Sequence, residues 1–105
     1  MTFEQLYQGL LNLGYPVAYS HFAEGNVPQP PFITYMLNDT ENFFADSITY
    51  QEINNIYIEL YSKTKDLTAE QAISNFLTEN NIAYEKQEYY IESEKMIQVI
   101  YYINL

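Results

Sequence analysis

His21 is the only histidine of the chain, and there is no cysteine. A lone imidazole beside Phe22 has no thiol, serine constellation or second histidine with which to build a nucleophile, a general-base pair or a ligand set. It reads as a loop side chain. The missing cysteines exclude a disulfide framework, a thiolate nucleophile and a zinc–thiolate site. Asp39 and Glu41 come nearest to a metal pair. A calcium loop needs a longer oxygen-rich run with a glycine at its bend, and Asn42 and Phe43 interrupt that pattern. A solvated turn is expected there. Glu85 and Glu88 stand three apart, so on a strand they point to opposite faces and cannot share a substrate. Glu92 and Glu94 flank a turn. Gly9, Gly14 and Gly25 lie too far apart to form a phosphate loop. The expectation is no catalytic residue, no metal site, no cofactor and no enzymatic activity.

The charge narrows the class further. Among 105 residues there are 14 acids, four lysines and no arginine, a formal charge of −10. A nucleic-acid binder needs basic groups to neutralise phosphates, so sequence-specific nucleic-acid binding is not expected. Docking on anionic membranes is disfavoured for the same reason. No apolar run approaches a spanning helix, and MTFEQLYQGLL lacks the basic start of a signal peptide. Hydrophobic residues make up 48% of the chain, enough to build a core. The length fits a single domain over residues 1–105. Twelve tyrosines and six phenylalanines, with no tryptophan, lean toward strands and toward contacts with other proteins.

Two periodicities organise the chain. Phe3, Leu6, Tyr7, Leu10 and Leu11 make a helical stripe over 2–13, with Thr2 and Gln5 as a capping box and Gly14 and Pro16 as the stop. Residues 17–22 are a short extended piece, and 24–31 are a proline-rich connector. Period-2 patterns then predict strands at 31–37, 47–53 and 56–62, with 38–42 as a polar turn and Asn54 and Asn55 as a hairpin turn. A second helix is expected over 69–80, capped by Thr68 with Gln71. Strands at 82–91 and 96–105 follow. The fold class is α+β: a mainly antiparallel sheet of about five strands with two helices on one face. Ile56, Ile58 and Leu60 should pack beneath Ile73, Phe76 and Leu77. The other sheet face, bearing Tyr57, Glu59 and Tyr61, has no element left to cover it.

The stretch PPFITYMLNDTENFFADSITYQEINNIYIELYSKTKD, with PVAYSHF before it and a capped helix and two strands after it, resembles the tail-completion or tail-terminator proteins of long-tailed phages and prophages of Gram-positive bacteria. The resemblance covers nearly the whole chain. It implies a mixed sheet with helices on one face and a structural role without catalysis. It also implies a ring of identical copies, often six, that caps the tail tube and prepares it for joining to the head. The implied partners are other copies of the chain, the tail tube protein and the head–tail connector proteins. The implied setting is the host cytoplasm during assembly and then the virion.

No motif fixes the ring contacts. The uncovered sheet face supplies Tyr57 and Tyr61, and the 38–46 loop supplies Phe43 and Phe44, unless a bulge there tucks both rings into the core. These are the expected contacts with neighbouring copies. The acidic balance suits a channel for DNA, because carboxylates repel phosphate. Residues 1–52 hold six acids and no lysine. A second reading is a small acidic DNA mimic that inhibits a host defence protein. A mimic needs carboxylates spaced like phosphates on one contiguous face, and here the acids are scattered over turns, helices and strands.

Overall fold

Thr2 starts the first helix as its neighbours predict. Its hydroxyl accepts from the Gln5 N–H at 3.1 Å, and the Gln5 side-chain oxygen accepts from the Thr2 N–H at 2.8 Å. The structure, a computed structural model, describes the backbone of residues 1–44 and 50–105 and the side chains outside 42–51. Its elements are α1 (Phe3–Leu11), β1 (Val17–Tyr19), β2 (Phe32–Phe44), β3 (Tyr50–Ser62), α2 (Leu67–Glu79), β4 (Glu85–Ile91) and β5 (Met96–Asn104). The sheet order is β1-β2-β3-β5-β4. β1 pairs parallel to β2, and every other neighbouring pair is antiparallel. The fold is α+β, with both helices on one face of the sheet. Among the described residues no helix is long and apolar enough to cross a membrane.

Several local expectations give way to longer-range pairing. The polar run after Leu37 is not a turn. β2 continues through it to Phe44, with a register shift between Leu37 and Asp39. Asn54 and Asn55 do not turn the chain either. β3 passes straight through them, pairing Asn54 with Thr40 and Asn55 with Asp39. Two predicted strands are therefore one, and the short piece at Val17–Tyr19 supplies the fifth. The cap of α2 is Asp66 rather than Thr68: its carboxylate accepts from the Ala69 N–H at 3.0 Å. A carboxylate at that position also meets the positive end of the helix dipole. Gly14 adopts φ +97°, a left-handed conformation that suits glycine, and so lets the chain leave α1.

Register makes the core. Three rows cross the helix-facing side of the sheet: Ile33–Leu60–Val99, Tyr35–Ile58–Tyr101 and Leu37–Ile56–Ile103. Leu6 and Leu10 of α1, with Ala69, Ile73 and Leu77 of α2, cover them, and all five are fully buried. Phe76 departs from the expected packing. It is only half-buried, because its ring lies over Gly9 between the helices. A β-carbon at position 9 would come within 2.3 Å of that ring, so the close approach of α1 and α2 requires glycine there.

A charged cluster ties α2 to the edge strand. The Glu70 side chain is 5% exposed and pairs with Lys65 at 2.7 Å and Lys86 at 3.1 Å. Lys65 reaches on to Glu88 at 2.5 Å. The Tyr101 hydroxyl donates to the Glu70 backbone carbonyl at 2.9 Å beneath this cluster. Burial pushes the Tyr101 phenol up to about 12, and the Glu70 carboxylate adds to the shift.

Two outcomes follow. Gly9→Ala gains helix propensity of up to about 1 kcal/mol in an open helix, but here it evicts the Phe76 ring. It should destabilise the protein by about 1 kcal/mol in urea unfolding, and it should stabilise it in a Phe76→Ala background. Additive effects would show that the ring does not occupy that seat. The second outcome concerns alkaline pH. The folded Tyr101 holds its proton to about 12 while the unfolded chain releases it near 10. Stability is therefore full below pH 10 and falls as the pH rises toward 12. Tyr101→Phe should flatten that decline, at a cost of about 1 kcal/mol at neutral pH for the lost hydrogen bond. Unfolding curves collected across this range check it.

Candidate interaction face

The sheet face turned away from the helices is also built by register. Its rows are Phe32–Tyr61–Gln98–Tyr89, Thr34–Glu59–Ile100–Gln87 and Met36–Tyr57–Tyr102–Glu85. No helix covers it. The face is nevertheless less open than the sequence suggests, because its own rings shield it. Tyr61 stacks on Phe32 with centroids 5.2 Å apart, and Phe22, which precedes the connector, meets Phe32 edge-on at 5.3 Å. Tyr57 meets Tyr102 edge-on at 4.9 Å. Phe32 and Ile100 are buried as a result, while Tyr57, Tyr61 and Tyr102 are half-buried.

Glu59 sits at the centre of this face. It is 8% exposed, and no lysine reaches it. Neutral donors hold it instead. Thr34 donates to Oε1 at 3.2 Å, while Gln98 at 2.7 Å and Tyr61 at 3.2 Å donate to Oε2. Gln98 also donates to the Tyr61 hydroxyl at 2.9 Å. Burial raises the Tyr61 pKa, and the neighbouring Glu59 charge raises it further. At the edge, Tyr89 and Tyr102 both donate to Gln87 Oε1. The Tyr102 phenol is pushed up to about 12, first by the neighbouring Tyr89 hydroxyl and then by burial. The result is an aromatic surface with wet polar tips. It carries hydrogen-bonding capacity and contact area.

A second feature projects from the body. β1 borders β2 only through Ile33, Thr34 and Tyr35, and β5 borders β3 only from Asn55 onward. Leu105 adds one backbone pair to Asn54, with both bonds at 2.9 Å. Beyond these points residues 39–44 and 50–53 pair with each other and, among the described residues, with no further strand. They form a two-stranded arm on a body whose extents with the arm are 50 × 28 × 23 Å. An open cleft of about 600 Å³, lined by Asp39, Asn55, Tyr57, Glu85, Tyr102 and Asn104 among others, lies where the arm leaves the sheet.

Tyr57 and Tyr61 thus share one face, with Glu59 between them. Phe43 and Phe44 do not lie on a loop: their backbone ends β2, opposite Gln51 and Tyr50. Their side chains lie outside the described residues. The remaining flagged groups are dispersed. His21 is exposed, with Nδ1 3.2 Å from the Ser20 hydroxyl. Asp39 accepts from Asn55 Nδ2 at 2.6 Å, and Glu41 is exposed. Glu85 and Glu88 sit on opposite faces of β4, in the rows of Tyr102 and Val99. Glu92 pairs with Lys95 at 3.0 Å. Among the described residues no three His, Cys, Asp or Glu side chains are grouped to hold a metal. Glu59 and its donors escaped the sequence reading. A glutamate alternating with tyrosines reads as solvated, and only the strand register reveals the three donors around it.

No family model matches the sequence. A search of curated proteins gives no match either. The fold is nonetheless shared with a solved structure, a chain of the virion of a native gene transfer agent particle. The superposition has a TM-score of 0.67 at 12% identity and covers 94% of this chain and 88% of that one.

Proposed function

We propose that this chain is a virion structural protein, a single domain over residues 1–105. In this reading it forms a ring at the end of a phage-type tail tube and prepares it for joining to the head. The observation that carries the reading is the likeness to a gene transfer agent virion chain, which spans nearly the full length of both chains. The half-buried tyrosine face supports it, since large rings with polar tips suit a surface that is wet in the free subunit and dry after assembly. Its partners are other copies of itself, the tail tube protein and the connector proteins of the neck. Ring contacts come from Tyr57 and Tyr61, and from Phe43 and Phe44 at the end of β2. The scarcity of lysine suits a channel that lets DNA pass without holding it. The protein works by assembly and catalyses nothing. DNA mimicry is the weaker reading: Glu59 and Glu70 are buried, and Glu88 and Glu92 are paired with lysines, so those four carboxylates cannot stand in for phosphates.

Concentrated protein should form closed rings with a central channel in negative-stain electron microscopy. Deleting the gene from its genome should leave separated heads and tails of irregular length. Tyr57→Glu should fold with near-normal stability, because the ring is only half-buried, yet fail to form rings or restore particles, because assembly would bury an unpaired charge. Tyr61 is the poorer probe, since its hydroxyl helps hold Glu59. Normal particles from the deletion, or from a folded Tyr57→Glu variant, would overturn the function or the face respectively.

A further inference from the structure

Among the described residues several strand edges lack a partner, and two of them lie on opposite sides of the sheet order. One belongs to β4, the last strand of the sheet. The other is the outer edge of β2 beyond β1, over residues 38–44. Unpaired edges invite strand addition, and proteins ordinarily blunt them with proline, bulges or outward charge. β4 has none of the first two: it is seven residues without proline, paired to β5 in unbroken register. Its charged residues Glu85, Lys86 and Glu88 are exposed, but Lys86 is bonded to Glu70 and Glu88 to Lys65. Tyr89 and Tyr90 stand 45% and 57% exposed along the same strand. The arm is incomplete in the complementary way. A two-stranded hairpin without a covering layer is marginal in water and gains stability by adding strands.

We infer that the arm of one copy adds its β2 edge to the free β4 edge of a neighbouring copy, joining subunits head to tail through a continuous sheet. The inference rests on the ring reading and supplies its geometry. Lengths are close, since the arm offers residues 39–44 to the seven residues of β4. Charge disfavours arm against arm. The described arm carries Asp39, Glu41 and Glu52 and no lysine. Around β4 the charges are mixed: Lys86, Lys65 and Lys95 stand among its carboxylates and pair with Glu70, Glu88 and Glu92. Two arms meeting each other would oppose carboxylates. Size agrees as well. Seven residues extend about 20 Å, and an edge plus one face of such a ribbon, added to the tyrosine face, approaches the roughly 800 Å² per partner of a specific interface. Two different surfaces of one chain meeting in this way form a heterologous contact, which closes into a ring when the rotation allows.

The chain has no cysteine, so introduced ones report cleanly. Thr40→Cys and Glu41→Cys, one for each face of the arm, are combined in turn with Gln87→Cys and Glu88→Cys in full-length protein at up to about 1 mM. Mild oxidation should give a ladder of covalent oligomers from at least one combination and none from the single variants. Successive strand N–H groups point to opposite edges, so one of Gln87→Pro and Glu88→Pro removes an outward donor while sparing the β5 ladder. That variant should fold with native circular dichroism and lose assembly at least tenfold in sedimentation. Rings that form without any arm-to-β4 bridge, and that tolerate both prolines, overturn this contact and leave the ring standing. Dimers bridged through Thr40→Cys or Glu41→Cys alone overturn it in favour of an arm-to-arm pair. A monomer under every condition overturns both the contact and the ring.

Discussion

The register of β3 is the constraint on which the rest depends. Ile56, Ile58 and Leu60 alternate with Tyr57, Glu59 and Tyr61, and β3 is bonded on both sides along this stretch. Each of its residues therefore fixes the side taken by a residue of β2 and one of β5. A slip of one position would turn every side chain over. Glu59 would then lie under the apolar stripes of two helices, away from Thr34, Tyr61 and Gln98. A carboxylate without donors in a core is costly enough to exclude that alternative. The buried glutamate thus helps to specify the fold, and the donors that satisfy it exist only in the native register.

The two buried glutamates are handled in different ways, and the difference follows from position. Glu70 lies on the helix side, near the ends of elements that must be tied together, and takes two of the four lysines. Those lysines are partly exposed, so the cluster stays in contact with water and avoids the full penalty of a buried ion pair. Glu59 lies mid-sheet, where a long flexible ammonium would displace the rings that shield the face. Neutral hydroxyl and amide donors fit between those rings. The face consequently keeps a buried acidic centre, with Glu85 the exposed carboxylate of its edge row.

Much of this was legible in the sequence, and the failures have a common cause. The capping box at Thr2, the helical stripes and the apolar alternation of β3 and β5 are local patterns, and the structure carries them. The hairpin was misread because Asn54 and Asn55 have turn chemistry that the sheet overrides. Asn55 spends its side chain on Asp39 at 2.6 Å, and Asn54 exchanges backbone bonds with Leu105 at the far end of the chain. The cap of α2 shifted from Thr68 to Asp66 because both satisfy the same local rule and the preceding turn decides between them. Phe76 was placed wholly in the core because a stripe gives direction without depth. Its actual seat depends on Gly9, sixty-seven positions away and silent in any periodicity. Glu59 is hidden for the same reason: two of its three donors, Thr34 and Gln98, come from β2 and β5.

These long-range pairings also explain why the tyrosine face can serve two states. An apolar face of this size would aggregate in a free subunit. Here each ring rests on another, Phe22 on Phe32, Phe32 on Tyr61 and Tyr57 on Tyr102, so the apolar edges are largely satisfied within the chain. The hydroxyls meet Glu59 and Gln87 and remain solvated at their rims. A partner can cover such a surface without the chain reordering its side chains, which keeps the entropic cost of association low. The register that builds the core therefore also preorganises the opposite face.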